Sequence, residues 1–170
     1  MILRCRNRLY DAGCLKVYTV SVPTICVGNL ALGGTGKTPH VEYLIRLLKD
    51  HYRIAVLSLG YKRQTKGFVW ADEQATAATI GDEPMQIHCR FADVPVAVCQ
   101  DRVQGIAELQ KRVSGLQVVL LDDAFQYRRL KPTCNILLTA ADRLYTEDHV
   151  LPWGHLRDHP LQAGGDALLR

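Results

Sequence analysis

Residues 22–38 of this chain read Val-Pro-Thr-Ile-Cys-Val-Gly-Asn-Leu-Ala-Leu-Gly-Gly-Thr-Gly-Lys-Thr, and they indicate the class of fold. An apolar strand pattern that ends near Val27 runs into a glycine-rich loop, and an amphipathic helix opens directly after it. Such a loop turns backbone N–H groups toward an anion, its lysine lies near the terminal phosphates, and its threonine offers a hydroxyl to Mg²⁺. The helix N-terminus adds its dipole. The stretch therefore predicts a nucleoside triphosphate site.

The predicted phosphate-binding loop covers residues 31–38, which are Ala31, Leu32, Gly33, Gly34, Thr35, Gly36, Lys37 and Thr38. The usual loop pattern begins with glycine, where this chain has Ala31. A glycine-rich turn that binds nothing is the alternative. The order of strand, loop, Gly-Lys-Thr and helix argues against it.

Composition and charge narrow the classes of protein. The chain has 170 residues, 48% of them apolar, and a net charge of +4, which suits a globular protein of one domain or part of a larger one. The charge does not require a nucleic acid partner, but it suits an anionic membrane surface. The six cysteines are scattered without zinc spacing, which is typical of reduced thiols in a cytoplasmic protein.

The N-terminal segment, residues 1–22, is basic and contains aromatic side chains. Arg4, Arg6 and Arg8, with Tyr10 and Tyr18, would suit a contact with anionic lipid headgroups. An ordinary solvated basic segment is the alternative. We expect residues 23–170 to form the nucleotide-binding lobe.

Continuous apolar strands alternate with amphipathic helices along this lobe. We therefore predict an α/β fold of the phosphate-loop NTPase type, with a mostly parallel sheet and helices on both faces. Predicted strands end near Val27 or cover residues 53–59, 68–71, 94–99, 117–121 and 135–139, and predicted helices cover residues 39–51 and 101–113. A turn over 80–84 feeds a further helix that ends at Phe91. We expect the tail after Leu151 to lack a closing element, so that the fold is a piece of a longer protein.

Acidic residues lie at two places beside the predicted strands and helices. Asp122 and Asp123 come directly after an apolar strand, where an aspartate can hold Mg²⁺ beside a phosphate loop, although strand ends also carry aspartate as a turn former. Asp82 lies in Gly81-Asp-Glu-Pro84, and it either points into the active cleft or caps a helix.

The sequence leaves the roles of two arginines, Arg102 and Arg157, open. Asp101 and Arg102 either position a phosphate or pair internally, and the sequence leaves both alternatives open. Arg157, in the unusual loop Leu151-Pro-Trp-Gly-His-Leu-Arg-Asp158, either clamps an anionic substrate or forms a surface ion pair.

Together these strings resemble one family, the tetraacyldisaccharide 4′-kinases (lipid A 4′-kinases) of Gram-negative bacteria. The resemblance covers about residues 4–166 in the family's order. It is carried by the loop with Asn29, by Leu57-Ser-Leu-Gly-Tyr61, Gly81-Asp-Glu-Pro84, Asp101-Arg102, Asp122-Asp-Ala-Phe-Gln126 and Leu151-Pro-Trp-Gly-His-Leu-Arg157. The family also tolerates alanine at position 31.

The resemblance implies an activity. The γ-phosphoryl group of ATP would pass to the 4′-hydroxyl of an acylated glucosamine disaccharide 1-phosphate, with Mg²⁺ as cofactor. The protein would be cytoplasmic and peripheral on the inner face of the inner membrane, with no nucleic acid partner.

The resemblance also implies residue roles. Lys37 would neutralise charge during transfer, and Thr38 and Asp122 would serve Mg²⁺. Asp82 would accept the proton of the sugar hydroxyl, and Asp123 would assist it. Arg157 would lie near the substrate.

This chain departs from the family pattern at Leu59, where the family has arginine, and at Ala124 and Asp158, which replace glycine and glutamate. The family continues past position 170 with a second lobe. It also begins somewhat earlier than this chain, with an N-terminal helix that meets the membrane, and we expect both parts to be missing here. The alternatives are another phosphate-loop ATPase or kinase, and a nucleotide-binding fragment without catalysis.

Overall fold

The computed structural model describes residues 2–31, 36–140, 144, 146, 148–150, 153–156 and 167–169, with backbone only for 2–5 and 167–169. The helices are α1 (Ile2–Asp11), α2 (Lys37–Leu48), α3 (Ala77–Ile80), α4 (Asp82–Arg90) and α5 (Arg102–Arg112). The strands are β1 (Thr24–Asn29), β2 (Ile54–Ser58), β3 (Val69–Trp70), β4 (Val96–Val98), β5 (Val118–Asp122), β6 (Cys134–Leu138) and β7 (Ala167–Leu169).

The strands form one seven-stranded sheet in the order β3-β4-β2-β5-β1-β6-β7. Only the pair β3 and β4 is antiparallel, and every other neighbouring pair is parallel. In the centre Cys26 pairs with Leu121 and Val27 with Ile136. The predicted mostly parallel α/β fold is confirmed.

Helices cover both faces of this sheet. Side chains alternate between the two faces along each strand, so each central strand contributes apolar side chains to both layers. On one face Val27 and Leu120 pack in one apolar cluster with Ile45 of α2. On the other face Cys26 and Leu121 pack in a second cluster, which includes Ile106 and Leu109 of α5. The central strands are thus buried on both sides, which explains their unbroken apolar sequences.

Three elements were not predicted from the sequence, namely α1, α3 and β7. The sequence predicts residues 1–22 only as a basic segment, whereas residues 2–11 of this segment are helical. The expectation that the tail lacks a closing element was wrong, because β7 pairs in parallel with β6. Among the described helices, none is both long enough and apolar enough to cross a membrane.

The parallel direction of the central strands places their carboxyl ends at one edge of the sheet. Asn29 ends β1, Ser58 ends β2 and Asp122 ends β5. Ligands of open α/β sheets bind at this edge, where the loops that follow the strands converge.

Candidate active site

Lys37 begins α2 and lies over the end of β1. The preceding residue, Gly36, has φ 75°, a left-handed backbone that glycine adopts without strain. The Nζ atom of Lys37 lies 3.4 Å from Oδ1 of Asn29 and 3.8 Å from Oδ1 of Asp123. Only 11% of the Lys37 side chain is exposed. The ammonium group is therefore held at the carboxyl edge of the sheet, between an amide and a carboxylate.

The structure describes the two ends of the predicted phosphate-binding loop. Ala31, Gly36, Lys37 and Thr38 are described, whereas Leu32, Gly33, Gly34 and Thr35 lie outside the described residues. Ala31 forms an antiparallel bridge with Leu156. This bridge brings the loop at 153–156 beside the start of the phosphate-binding loop. The predicted substrate residue Arg157 itself lies outside the described residues.

Asp122 is a buried carboxylate at the end of β5, with 1% of its surface exposed. The hydroxyl of Ser58 donates to Oδ2 at 3.2 Å. Its Oδ1 atom is buried and has no hydrogen-bond partner in the described part of the chain. Burial, followed by the negative charges of Glu83 and Asp123, raises the pKa of Asp122 to about 7.

A buried carboxylate oxygen without a donor suits a cation. Mg²⁺ takes oxygen ligands and is usually bound in proteins through one or two carboxylates, together with water and substrate phosphates. Oδ1 of Asp122 and the hydroxyl of Thr38, in the first turn of α2, belong to this chemical class. The donor set therefore fits the predicted magnesium site.

Asp123 turns the chain away from the sheet. Its φ of 49° lies in the left-handed region, which aspartate tolerates better than most residues. Its N–H donates to the carbonyl of Val27 at 3.0 Å, so the turn is fixed to β1. The second carboxylate of the pair thereby reaches Lys37, while the first stays in the sheet.

Two contacts attach the residues after Asp123 to the end of β1. A Cβ atom on Gly28 would come within 2.5 Å of the Cβ atom of Phe125, so only glycine allows this approach. The amide of Gln126 donates from Nε2 to the carbonyl of Asn29 at 2.7 Å. Gln126 thus supports the residue that contacts Lys37.

Asp82 is the first residue of α4 and is exposed. The N-cap residue of α4 is Gly81, and in the described part of the chain no side chain caps the helix. The helix-capping alternative for Asp82 is therefore wrong. Gly81 lies close to Gly60, since a Cβ atom on Gly81 would meet the Cα atom of Gly60 at 3.1 Å. This contact holds the start of α4 against the loop that follows β2.

Asp101 and Arg102 each contact other residues inside the protein, which is one of the two alternatives left open by the sequence. Oδ1 of Asp101 accepts from the N–H groups of Val103 and Gln104 at the start of α5 and from the Tyr127 hydroxyl at 2.9 Å. Arg102 is 2% exposed and donates to the carbonyl of Cys99 at 2.9 Å, and burial lowers its pKa.

Sequence reasoning identified most of the charged residues of this edge, but it gave no role to Glu83 or to the uncharged Asn29, Ser58 and Gln126. Asn29 and Gln126 do stand in the motif strings. Their partners, however, lie far away in the sequence, and no short-range pattern gives such contacts.

The mostly parallel sheet has a lysine at the start of the helix after β1 and a buried aspartate at the end of neighbouring β5. This is the arrangement of the phosphate-loop class of nucleotide-binding proteins. A family model described as tetraacyldisaccharide-1-P 4′-kinase (LpxK) matches residues 1–168. The chain belongs to this family.

The similar proteins are longer than this chain. Tetraacyldisaccharide 4′-kinase of Parabacteroides distasonis is 54% identical over 158 residues, which are 92% of this chain and 43% of the relative. The enzyme of the same name from Flavobacterium johnsoniae is 52% identical over 93% of this chain and 46% of its own length. The chain thus spans less than half the length of these curated relatives.

A solved structure shares the fold. A crystal structure of "apo" form LpxK from Aquifex aeolicus in complex with ATP superposes with a TM-score of 0.88 at 40% sequence identity. The match covers 98% of this chain and 53% of the other.

Proposed function

We propose that this chain is the nucleotide-binding part of an ATP-dependent kinase that phosphorylates the 4′-hydroxyl of tetraacyldisaccharide 1-phosphate in lipid A biosynthesis. One observation carries the proposal: Lys37 lies between Asn29 and Asp123 beside the buried carboxylate of Asp122, at the carboxyl edge of the sheet. Family membership and the ATP named for the Aquifex structure support it.

The phosphate-binding loop, residues 31–38, would hold the phosphates of ATP. The N-terminus of α2 directs its unpaired N–H groups toward the loop, which favours an anion there. Lys37 would leave its contact with Asp123 and bind the β- and γ-phosphates, where it offsets the charge that develops during transfer.

Thr38 and Asp122 would hold Mg²⁺. The bound cation would supply positive charge that offsets the negative charge of the transferring phosphoryl group. Ser58 fixes Asp122 through Oδ2 and so leaves Oδ1 for the cation.

Asp82 and Asp123 would carry the proton chemistry. Asp82 would take the proton of the 4′-hydroxyl while the sugar oxygen bonds to the γ-phosphorus. The bond from that phosphorus to the β–γ bridging oxygen breaks, and ADP leaves. Asp123, fixed to β1 through its N–H, would orient the hydroxyl beside Asp82. Arg157 would contact the acceptor.

The remaining parts of the proposal concern organisation and place. Residues 1–22 would contact the anionic inner face of the inner membrane, where a lipid acceptor is accessible to a peripheral cytoplasmic protein. Residues 23–170 would form the nucleotide-binding lobe, and the second half of the family's length would complete the acceptor site.

The test is transfer of ³²P from γ-labelled ATP to tetraacyldisaccharide 1-phosphate in detergent micelles. It compares this chain with a version extended by the second half of the Parabacteroides relative. We expect labelled lipid from the extended version, and Lys37→Ala should abolish the label without loss of the circular dichroism of the fold. Lys131→Ala, an exposed lysine before β6, is the matched control and should keep full transfer.

Other outcomes would contradict the proposal. ATP hydrolysis that never responds to the lipid would indicate another phosphate-loop enzyme. ATP binding without turnover in the extended version would indicate a non-catalytic nucleotide-binding protein, for which Leu59 would be the first residue to revert to arginine.

A further inference from the structure

Glu42 of α2 is a buried carboxylate that the mechanism proposed above does not use. It is 3% exposed, and it lies one helical turn after Thr38. Its Oε1 atom accepts from Nε2 of Gln86 at 2.8 Å, and its Oε2 atom accepts from Nη1 of Arg90. Both partners belong to α4. Each oxygen of this carboxylate therefore has a donor on the neighbouring helix.

Helices α2 and α4 lie side by side on the same face of the sheet. Ile45 of α2 and Ile87 of α4 belong to one apolar cluster. Lys49, the C-cap residue of α2, pairs at 2.8 Å with Asp93, which follows α4. The carboxyl ends of the two helices are thus neighbours. Because α2 begins over the end of β1, both helices begin toward the carboxyl edge of the sheet.

The starts of the two helices carry residues of the candidate active site. Lys37 begins α2, and Asp82 begins α4. After burial, the negative charge of Glu83 is the next cause of the raised pKa of Asp122, so the first turn of α4 lies near the predicted magnesium site. With a rise of about 1.5 Å per residue, the carboxylate contact joins the helices within about 8 Å of both starts.

Stability alone does not account for a carboxylate at position 42. Removing a carboxylate from water costs free energy, and an apolar pair of the same volume is often as stable as a buried ion pair. The apolar cluster of this face already holds both helices on the sheet. The contacts of Glu42, however, have a direction, because a rotation or a slide of α4 would break both of them. They therefore fix where the first residue of α4 points.

We infer that Glu42 is a positioning residue, which holds the start of α4 so that Asp82 stays aligned with the phosphate-binding loop. This inference rests on the proposed function, in which Asp82 takes the proton of the acceptor hydroxyl. Glu42 acts through Gln86 and Arg90 and would touch neither ATP nor the acceptor. Its loss should therefore slow transfer without weakening the binding of the nucleotide.

The experiment measures kcat for ³²P transfer by the extended version, together with the dissociation constant of MgATP from titration calorimetry. Glu42→Gln keeps the shape of the side chain and removes its charge. We expect kcat to fall about tenfold, because a small displacement of a reacting group is costly. The dissociation constant should change less than about twofold, since the phosphates bind at the start of α2. Asp93→Asn, which breaks the exposed ion pair at the far ends of the two helices, is the matched control and should keep the wild-type kcat.

A double-mutant cycle shows whether Glu42 acts through Asp82. Asp82→Asn should lower kcat about 10²–10⁴-fold, which is the usual contribution of a general base. In that background, Glu42→Gln should lower kcat no further, because the two residues serve one step. A residue that matters only for stability would lower kcat by the same factor in both backgrounds.

Three results would overturn the inference. Glu42→Gln keeps the wild-type kcat, or it lowers kcat equally in the Asp82→Asn background, or Asp93→Asn lowers kcat as much as Glu42→Gln does. If Glu42→Gln does not fold, Gln86→Ala takes its place, because it leaves Glu42 paired with Arg90. This variant should lower kcat about threefold with MgATP binding intact, as expected for one lost hydrogen bond, and a wild-type kcat would again overturn the inference.

The outcomes for the proposed function are separate. Hydrogen exchange of the backbone amides of α4, which needs no activity, is measured on the same variants. An extended version without any ³²P transfer contradicts the kinase. In that case, faster exchange over residues 82–86 in Glu42→Gln but not in Asp93→Asn supports the role of Glu42 in fixing α4, and equal exchange in both contradicts it. Transfer that Glu42→Gln leaves unchanged contradicts the role of Glu42 alone.

Discussion

A proton and a metal cation would compete for the carboxylate of Asp122. Its pKa is raised to about 7, first by burial and then by the negative charges of Glu83 and Asp123. Between pH 4 and pH 7 the folded protein therefore binds more protons at this site than the unfolded chain does. Because of this difference, the free energy of unfolding decreases as the pH rises through that interval.

Asp122→Asn should remove this pH dependence. Without divalent cations, we expect the variant to be more stable than the wild type at pH 8 by roughly 1–3 kcal/mol, and similar to it at pH 4 to 5. Urea unfolding in EDTA at the two pH values measures the difference. MgATP should then stabilise the wild type far more than the variant. Equal pH dependence in both proteins would show that Asp122 titrates normally.

Gln126 is a positioning residue, because it reaches Lys37 only through Asn29. We expect Gln126→Ala to weaken binding of MgATP about threefold to tenfold, since one neutral hydrogen bond contributes about 1 kcal/mol. Titration calorimetry measures the dissociation constant, with Gln104→Ala on the exposed face of α5 as the control. An unchanged dissociation constant would leave Gln126 with a structural role only.

At the scale of elements, the central strands and helices follow from the sequence and the outer elements do not. The apolar runs of β1, β2 and β5 are long and unbroken because both faces of these strands are buried. Helix α1 has only ten residues, and an isolated helix of that length is marginal in water. Its contact to Arg128 spans 117 residues of the chain. Strand β7 likewise depends on β6.

In the candidate site, too, some residues could be predicted from the sequence and others could not. Lys37, Asp122 and Asp123 are recognisable because charged residues stand at strand and helix ends in a known order. Ser58 contacts Asp122 across 64 residues, and Gln126 contacts Asn29 across 97. Their side chains are uncharged and common in ordinary surface positions, so only the folded chain reveals what they contact.

The close approach of β1 to the residues after β5 gives a prediction for these elements. Gly28→Ala should destabilise the protein by about 1–3 kcal/mol, because its new methyl group overlaps Phe125. Phe125→Gly removes the Cβ atom that the new methyl group overlaps and so relieves the clash. The double variant should therefore cost less than the sum of the single variants in urea unfolding. Strict additivity would contradict a contact between the two positions.

At the scale of the molecule, one sheet joins β1 through β7, and each face of that sheet has its own apolar cluster. We expect the 170-residue chain to unfold in a single cooperative transition, with coincident curves from far-ultraviolet circular dichroism and tryptophan fluorescence. MgATP at 100 times its dissociation constant should add about 2.7 kcal/mol to the free energy of unfolding. Two separate transitions would show that the sheet does not behave as one unit.

The strand order also bears on how the chain is made. Thr24 of β1 pairs with Val119 of β5, so the centre of the sheet cannot form until the roughly 95 residues between them have been synthesised. At about 5–20 residues per second, a ribosome needs roughly 5–20 seconds for that stretch. During this time the apolar strand β1 exists without its partner strand β5. The nascent chain would therefore depend on chaperones that bind exposed apolar segments, and its yield in a cell should respond to their supply.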